Sequence, residues 1–179
     1  MKTISFGLSQ KSIQNAIKEL QKLKQELRKK TDQLVKELTE VGIPVIEKNM
    51  QKANYTYDSK GVRSGSDTEH YTHVKINAFD TKSIANLIVE GKEVLFIEFG
   101  AGVYYNGSAG ASPHPKGQEF GFLIGSYGAG HGQQKVWGYY DETGELVMTH
   151  GVEATMPLFK AEQIILDEYV SVPKRGCSK

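Results

Sequence analysis

Five histidines are the residues of this chain best suited to hold a metal or move a proton: His70, His73, His114, His131 and His150. Their spacing limits that chemistry. His70 and His73 stand three apart in a stretch that alternates like a strand, and an odd offset on a strand sends side chains to opposite faces. A metal pair there would need an even offset, so the two are not read as ligands. His114 and His131 share one glycine-rich stretch and can approach each other, but no cysteine or carboxylate cluster accompanies them. The run Gly125-Ser126-Tyr127-Gly128-Ala129-Gly130-His131-Gly132 has the glycine density of a phosphate loop. It lacks the Gly-Lys-Ser/Thr ending and the following helix that would hold phosphate. Glu98-Phe99-Gly100-Ala101-Gly102 falls short of a dinucleotide fingerprint, and no Gly-x-Ser-x-Gly serine motif occurs. Cys177 is the single cysteine and lies in a polar tail, which excludes an internal disulfide and a Cys-rich zinc site. No catalytic residue, metal or cofactor is assigned, and the chain is not expected to be an enzyme. The alternative is a small metal-dependent or nucleic-acid-acting enzyme that uses His114 and His131.

The elements that must position these residues begin with a short alternating strand at residues 3–6. Ser9 offers an N-cap for a long helix carrying an apolar stripe of Ile13, Ile17, Leu20, Leu27, Leu34, Leu38 and Val41. Lys22, Lys29 and Lys36 recur every seven residues on another side. Lys30-Thr31-Asp32 could cap a second helix, so one long helix and two shorter ones both stand. Gly42 and Pro44 interrupt the pattern, and Val45, Ile46 and Met50 resume it. The stripe is expected to bury Leu20, Leu27 and Leu34 against the sheet or a neighbour, leaving the lysine row facing solvent or a channel. Residues 54–69 are polar and read as a loop. Three strands of an antiparallel meander are expected at 71–78, 84–89 and 94–99, the last two joined by a tight turn at 90–93. Residues 100–134 hold more than half of the nineteen glycines, with Pro113 and Pro115 among them, and form a loop or β-arm. A hairpin of 135–140 and 145–149 follows, then a helix with Thr155 as N-cap and Pro157 in its first turn.

The fold class is therefore α+β: an antiparallel sheet packed by the N-terminal helix or helices and by a C-terminal helix. Residues 1–170 form one domain with an inserted arm at 100–134, and 171–179 form a polar tail. With 39% apolar and 24% charged residues, the composition is that of a globular chain rather than a disordered one. No stretch has the length of apolar residues that a membrane span needs, and residues 1–9 have no signal-peptide core. Synthesis in a cytoplasm is expected. The net charge of +1 is uneven. Residues 1–60 carry twelve Lys/Arg and seven Asp/Glu, or +5, and residues 61–179 carry ten and fourteen, or −4. The basic half is either a solvated helix surface or a face toward nucleic acid or the acidic half of another copy.

One ordered series spans residues 90–168. An apolar strand ends in Ile97-Glu98-Phe99-Gly100-Ala101-Gly102 and leads to Pro113-His114-Pro115. Then come Trp137-Gly138-Tyr139-Tyr140, Met148-Thr149-His150-Gly151 and Ala154-Thr155-Met156-Pro157-Leu158-Phe159-Lys160-Ala161. This order resembles the small head–tail joining and tail-completion proteins of long-tailed bacteriophages. Its weight lies in order and spacing, since no single motif in it is specific. The resemblance implies a virion component between the portal or neck and the tail tube, assembled as a ring that is commonly sixfold. Its implied partners are other copies of itself, neck or head-completion proteins, and tail-tube or tail-terminator proteins, with DNA passing through the ring and no membrane. That family supplies no catalytic residue to carry over.

The matched residues have core roles. Gly100 and Gly102 permit a sharp exit after Phe99. Trp137 and Tyr139, two apart, share one sheet face and are expected to cover the C-terminal helix, whose Leu158 and Ile165 pack back on the sheet. The apolar clusters of the arm, Val103, Tyr104 and Tyr105, then Phe120, Phe122, Leu123, Ile124 and Tyr127, are the expected oligomer interface. Lys22, Lys29 and Lys36 are the residues expected to face DNA.

Overall fold

The computed structural model describes residues 7–102, 112–122 and 135–176. The strand expected at 3–6 lies outside them. Ser9 caps the first helix as expected, its side chain accepting a hydrogen bond from the Ser12 amide at 3.3 Å. Helix α1, Gln10–Glu40, runs unbroken through Lys30-Thr31-Asp32, so the one-helix alternative holds. At 1.5 Å per residue it is about 46 Å long. Gly42 makes the turn into α2, Ile43–Gln51, and a Cβ there would stand 2.7 Å from Leu87 Cδ2 and 3.0 Å from Ile165 Cδ1. The turn is thus wedged between a strand and the last helix, and a larger residue there would displace the ends of Leu87 and Ile165. Pro44 sits in the first turn of α2, where its missing N–H has no intrahelical partner to lose.

Strands β3, Tyr71–Ala78, and β4, Ser83–Glu90, pair antiparallel over all eight residues, from Tyr71 opposite Glu90 to Ala78 opposite Ser83. The expected third strand of that meander is a helix, α3, Val94–Phe99. A continuous apolar run does not distinguish a strand from a buried helical turn by periodicity. Burial shows which state won: Val94, Ile97, Glu98 and Phe99 are inside while Leu95 and Phe96 are exposed, a helical rather than alternating pattern. The loop expected at 54–69 also contains structure. Its short strands β1, Thr56–Tyr57, and β2, Arg63–Ser64, pair antiparallel around a turn in which Asp58 Oδ1 accepts from the Lys60 and Val62 amides at 2.8 Å each.

Strands β5, Trp137–Tyr140, and β6, Leu146–Gly151, form the expected hairpin. Its turn is held by Asp141 Oδ1, which accepts from the Thr143 and Glu145 amides and the Thr143 hydroxyl. These donors keep the Asp141 carboxyl below its usual range. The second sheet has the order β1-β2-β6-β5, with β2 parallel to β6, so the simple antiparallel meander is replaced by a hairpin and a mixed sheet. Two polar residues, Arg63 and Ser64, supply β2, which is why pattern alone left them in a loop. The last helix, α4, Pro157–Gly176, takes in residues 171–176 of the expected tail.

The core lies where α2, α3, α4 and the end of β6 converge. Ile46, Met50, Ala53, Val94, Ile97, Val152 and Ala161 are buried there, with Leu87, Val89 and Leu158 packed against them. Helix α1 reaches this centre only through its C-terminal part and otherwise lies on β3 and β4. The α+β class is as expected. Among the described residues no helix is long and apolar enough to cross a membrane.

Candidate assembly surfaces and the clasp that frames them

The expected apolar stripe exists, but its centre is not buried in the chain. Ile13, Ile17, Leu20, Leu27 and Leu34 keep 40–57% of their surface in contact with solvent. The side of α1 that meets the hairpin is rotated away from them: Val35 and Leu38 are half-buried and Thr39 is buried. Two polar contacts accompany this orientation: Arg28 Nη1 donates to Asp80 Oδ1 at 3.2 Å, and the Ser83 hydroxyl donates to Asp32. Helix α1 meets β3 and β4 along its other side, and the leucines fall away from that contact. Leu20 and Leu27, with Phe79, line an open groove of about 360 Å³ between α1 and that turn. Burial of the stripe against the chain's own sheet is thus not found.

Lys22, Lys29 and Lys36 are exposed. Lys22 pairs with Glu19 at 3.3 Å and Lys36 with Glu40 at 3.5 Å along the helix, contacts that contribute little in water. Helix α4 exposes Ile164, Leu166, Tyr169 and Val170.

Residues 112–122 are pinned to the domain by a buried polar clasp. Glu98 on α3 is 3% exposed and its carboxylate faces the first turn of α4. Oε2 accepts from the Leu158 amide at 2.7 Å and Oε1 from the Phe159 amide at 2.9 Å. This is the N-terminal cap of α4, supplied from another element. Thr155, the expected cap, is buried with its hydroxyl unpaired. His114 completes the clasp: its Nε2 lies 3.0 Å from Glu98 Oε1, while Nδ1 accepts from the Lys116 amide at 3.0 Å. Nδ1 is therefore the acceptor and Nε2 the donor, and both ring nitrogens are engaged. The Ser112 hydroxyl donates to the Phe99 carbonyl, and Phe122 stacks on Phe99 with centroids 4.5 Å apart. Phe122 is half-buried by its own chain, whereas Phe120 keeps 57% exposure beside the same ring. Val103, Tyr104, Tyr105, Leu123, Ile124, Tyr127, His131 and Cys177 lie outside the described residues.

Of the other described histidines, His70 is held between Glu47, at 3.0 Å, and the Thr68 carbonyl, whereas His73 stacks on Tyr71 with its Nδ1 buried and without a hydrogen-bond partner among the described residues. His150 spans two segments: Nε2 contacts Asp58 Oδ2 at 3.1 Å and Nδ1 the Lys135 carbonyl at 2.9 Å. Both nitrogens face acceptors, an arrangement that favours the protonated ring. The Asp58 carboxylate, then the Lys135 carbonyl, push its pKa up, and the same bond draws Asp58 down. Among the described residues no group of three or more His, Cys, Asp or Glu is placed to hold a metal ion.

Trp137 and Tyr139 share a face, as their spacing predicts, with ring centroids 5.6 Å apart. They do not cover α4 but line a cleft of about 290 Å³ with Arg63 and Phe96. The Arg63 guanidinium lies 4.3 Å from the Tyr55 ring centre and 5.5 Å from that of Tyr139. Burial, with the Glu93 carboxylate, holds the Tyr55 phenol above its usual range, so it remains protonated beside the cation. Arg63 Nε and Trp137 Nε1 are buried without a hydrogen-bond partner. A buried donor left unpaired costs about 1–3 kcal/mol, so the cleft is polar-deficient as it stands. Nothing in the sequence marked this cleft, because Arg63 sits in an apparent loop 74 residues before Trp137. Comparison of the chain with protein-family models, curated proteins and solved structures finds no significant match.

Proposed function

We propose that this chain is a structural component of a tailed-phage virion or phage-derived particle, a head–tail connector or tail-completion protein that assembles as a ring between neck and tail tube. The observation that carries this reading is the open apolar stripe of α1. Five aliphatic side chains along one side of α1, each 40–57% exposed, leave an apolar stripe in water of the kind that marks a protein contact. Burial of such surface contributes about 25 cal/mol per Å², which favours a partner. The residue order from Ile97 to Ala161 supports the same placement through its resemblance to the phage family.

Another copy of the chain fits the surface. The basic first third (+5) faces an acidic remainder (−4) in any head-to-tail contact, and α4 exposes its own apolar row. Packing α1 of one copy on α4 of the next is a heterologous contact, which closes into a ring when the rotation permits. The exposed Lys22, Lys29 and Lys36 row would then face the channel through which DNA passes, and neck and tail-tube proteins would meet the ring's two ends. The enzyme alternative using His114 and His131 gains no support from His114, whose ring nitrogens are both engaged within the chain.

Light scattering coupled to gel filtration, followed by negative-stain microscopy with and without the tail-tube partner, tests the proposal. Closed rings are expected from the native chain. The double variant Leu20→Ser, Leu27→Ser should remain a monomer with an unchanged circular-dichroism melt. A native chain that stays monomeric at all concentrations and with its partner present rejects the reading.

A further inference from the structure

We infer that the cleft between Arg63 and Trp137 is a recognition site for a carboxylate on an apolar or aromatic stem, presented by another polypeptide as its C-terminal residue. The inference is independent of ring assembly. Its first ground is the pair of unused donors. Arg63 Nε and Trp137 Nε1 are both buried, belong to residues that line one cleft from either side of Thr149 in the same sheet, and have no acceptor among the described residues. Buried donors in folded chains are nearly always paired, so two orphans in one cavity point to an acceptor that arrives from outside.

The second ground is the charge arrangement. Arg63 forms no ion pair among the described residues, yet its guanidinium lies over the rings of Tyr55 and Tyr139, contacts that restrain it before any ligand binds. Glu93 also lines the cleft, but its Oε2 accepts from the Ser66 hydroxyl and, at 3.1 Å, from the Asp67 amide. With Arg63 and Glu93 both lining it, the cleft carries no net charge, which disfavours a phosphate dianion more than a singly charged guest that pairs with the guanidinium. The third ground is the wall. Phe96, Trp137 and Tyr139 supply aromatic surface, and about 290 Å³ is room for one bulky side chain and its terminal carboxylate. Strand β5, which carries Trp137 and Tyr139, lies at the edge of its sheet, where an extended segment has backbone groups to meet.

Trp137 is the only tryptophan, so its emission reports on this cleft alone. Three probes test the chemistry and its source: 4-phenylbutyrate, 4-phenylbutanol, and an N-acetyl-Ala-Ala-Phe peptide with a free or amidated C-terminus. Saturable emission changes are expected with the acid and the free peptide. The alcohol and the amide should bind about tenfold or more weakly, the loss expected for a hydrogen bond to a charged group. The free peptide should bind more tightly than phenylbutyrate. Arg63→Gln should reduce affinity by about the same factor, and Lys22→Gln on α1 should not change it. Should Arg63→Gln fail to fold, the Trp137 indole N–H resonance of the native chain gives the same answer, shifting with the acid and not with the alcohol. Equal binding of acid and alcohol, an unmoved indole resonance, or no saturable binding overturns the site. Binding of phenylbutyrate without the peptide overturns its polypeptide source.

Discussion

The two ends of this molecule use similar side chains to opposite effect. At one end Ile46, Met50, Ile97 and Val152 vanish into a core made by α2, α3, α4 and β6. At the other, Ile13, Ile17, Leu20 and Leu27 stand on α1 in water. Residue type does not separate the two sets, and neither does helical periodicity. What separates them is the presence of a third and fourth element within packing distance. The core end has them, and among the described residues the part of α1 before Leu23 meets only the tip of one hairpin. A helix of about 46 Å extends past what the rest of a small domain can cover. Apolar residues along such an overhang belong to an interface.

The contrast can be broken most forcefully at Glu98. Glu98→Ala would leave the Leu158 and Phe159 amides and His114 Nε2 without their acceptor in a buried place. A loss of about 3–5 kcal/mol is expected in a denaturant melt, the scale for stranding buried partners. A loss under 1 kcal/mol would show that water replaces the carboxylate and that the core end is not closed. At the open end, Leu27→Ala should cost less than about 1 kcal/mol in the monomer, because its side chain is already 57% exposed. A cost of 2–5 kcal/mol in the monomer would place Leu27 in a core and remove the contrast.

The smallest effect is expected at the His150–Asp58 contact, which ties the β1–β2 turn to β6. His150 titrates above its ordinary value near 6.5, so its contribution is full below that pH and disappears as pH rises through the raised value. Asp58 titrates below its ordinary value near 3.8, so its contribution is full above that pH and disappears as pH falls through the lowered value. The bond therefore helps most between those two ordinary values. The difference in melting temperature between the native chain and Asp58→Asn should be greatest near pH 5, within that window, and shrink by pH 8. A difference that does not vary with pH would mean that the contact carries no charge.

Local signals determined the parts of this protein that local forces build. Ser9 before an apolar helix start, Gly42-Ile43-Pro44 between two helices, the alternation of β3 and β4, and the Asp141 turn all act through neighbours in sequence, and each lies where its pattern placed it. Tertiary structure decided the rest. The run at 94–99 fits a strand or a helix equally until Glu98 finds the amides of Leu158 and Phe159, sixty residues away, and a helical turn is what aims it there. The parallel pairing of β2 with β6 joins Arg63 to Thr149, and no periodicity in a two-residue strand announces it. The same long-range pairing brings Arg63 and Trp137 to either side of Thr149 and creates the cleft. Which face of α1 stays open likewise follows from its packing on β3 and β4, a hairpin about fifty residues away in sequence. Sequence pattern encodes that a face is apolar; what covers it depends on contacts whose partners lie far along the chain or on another chain.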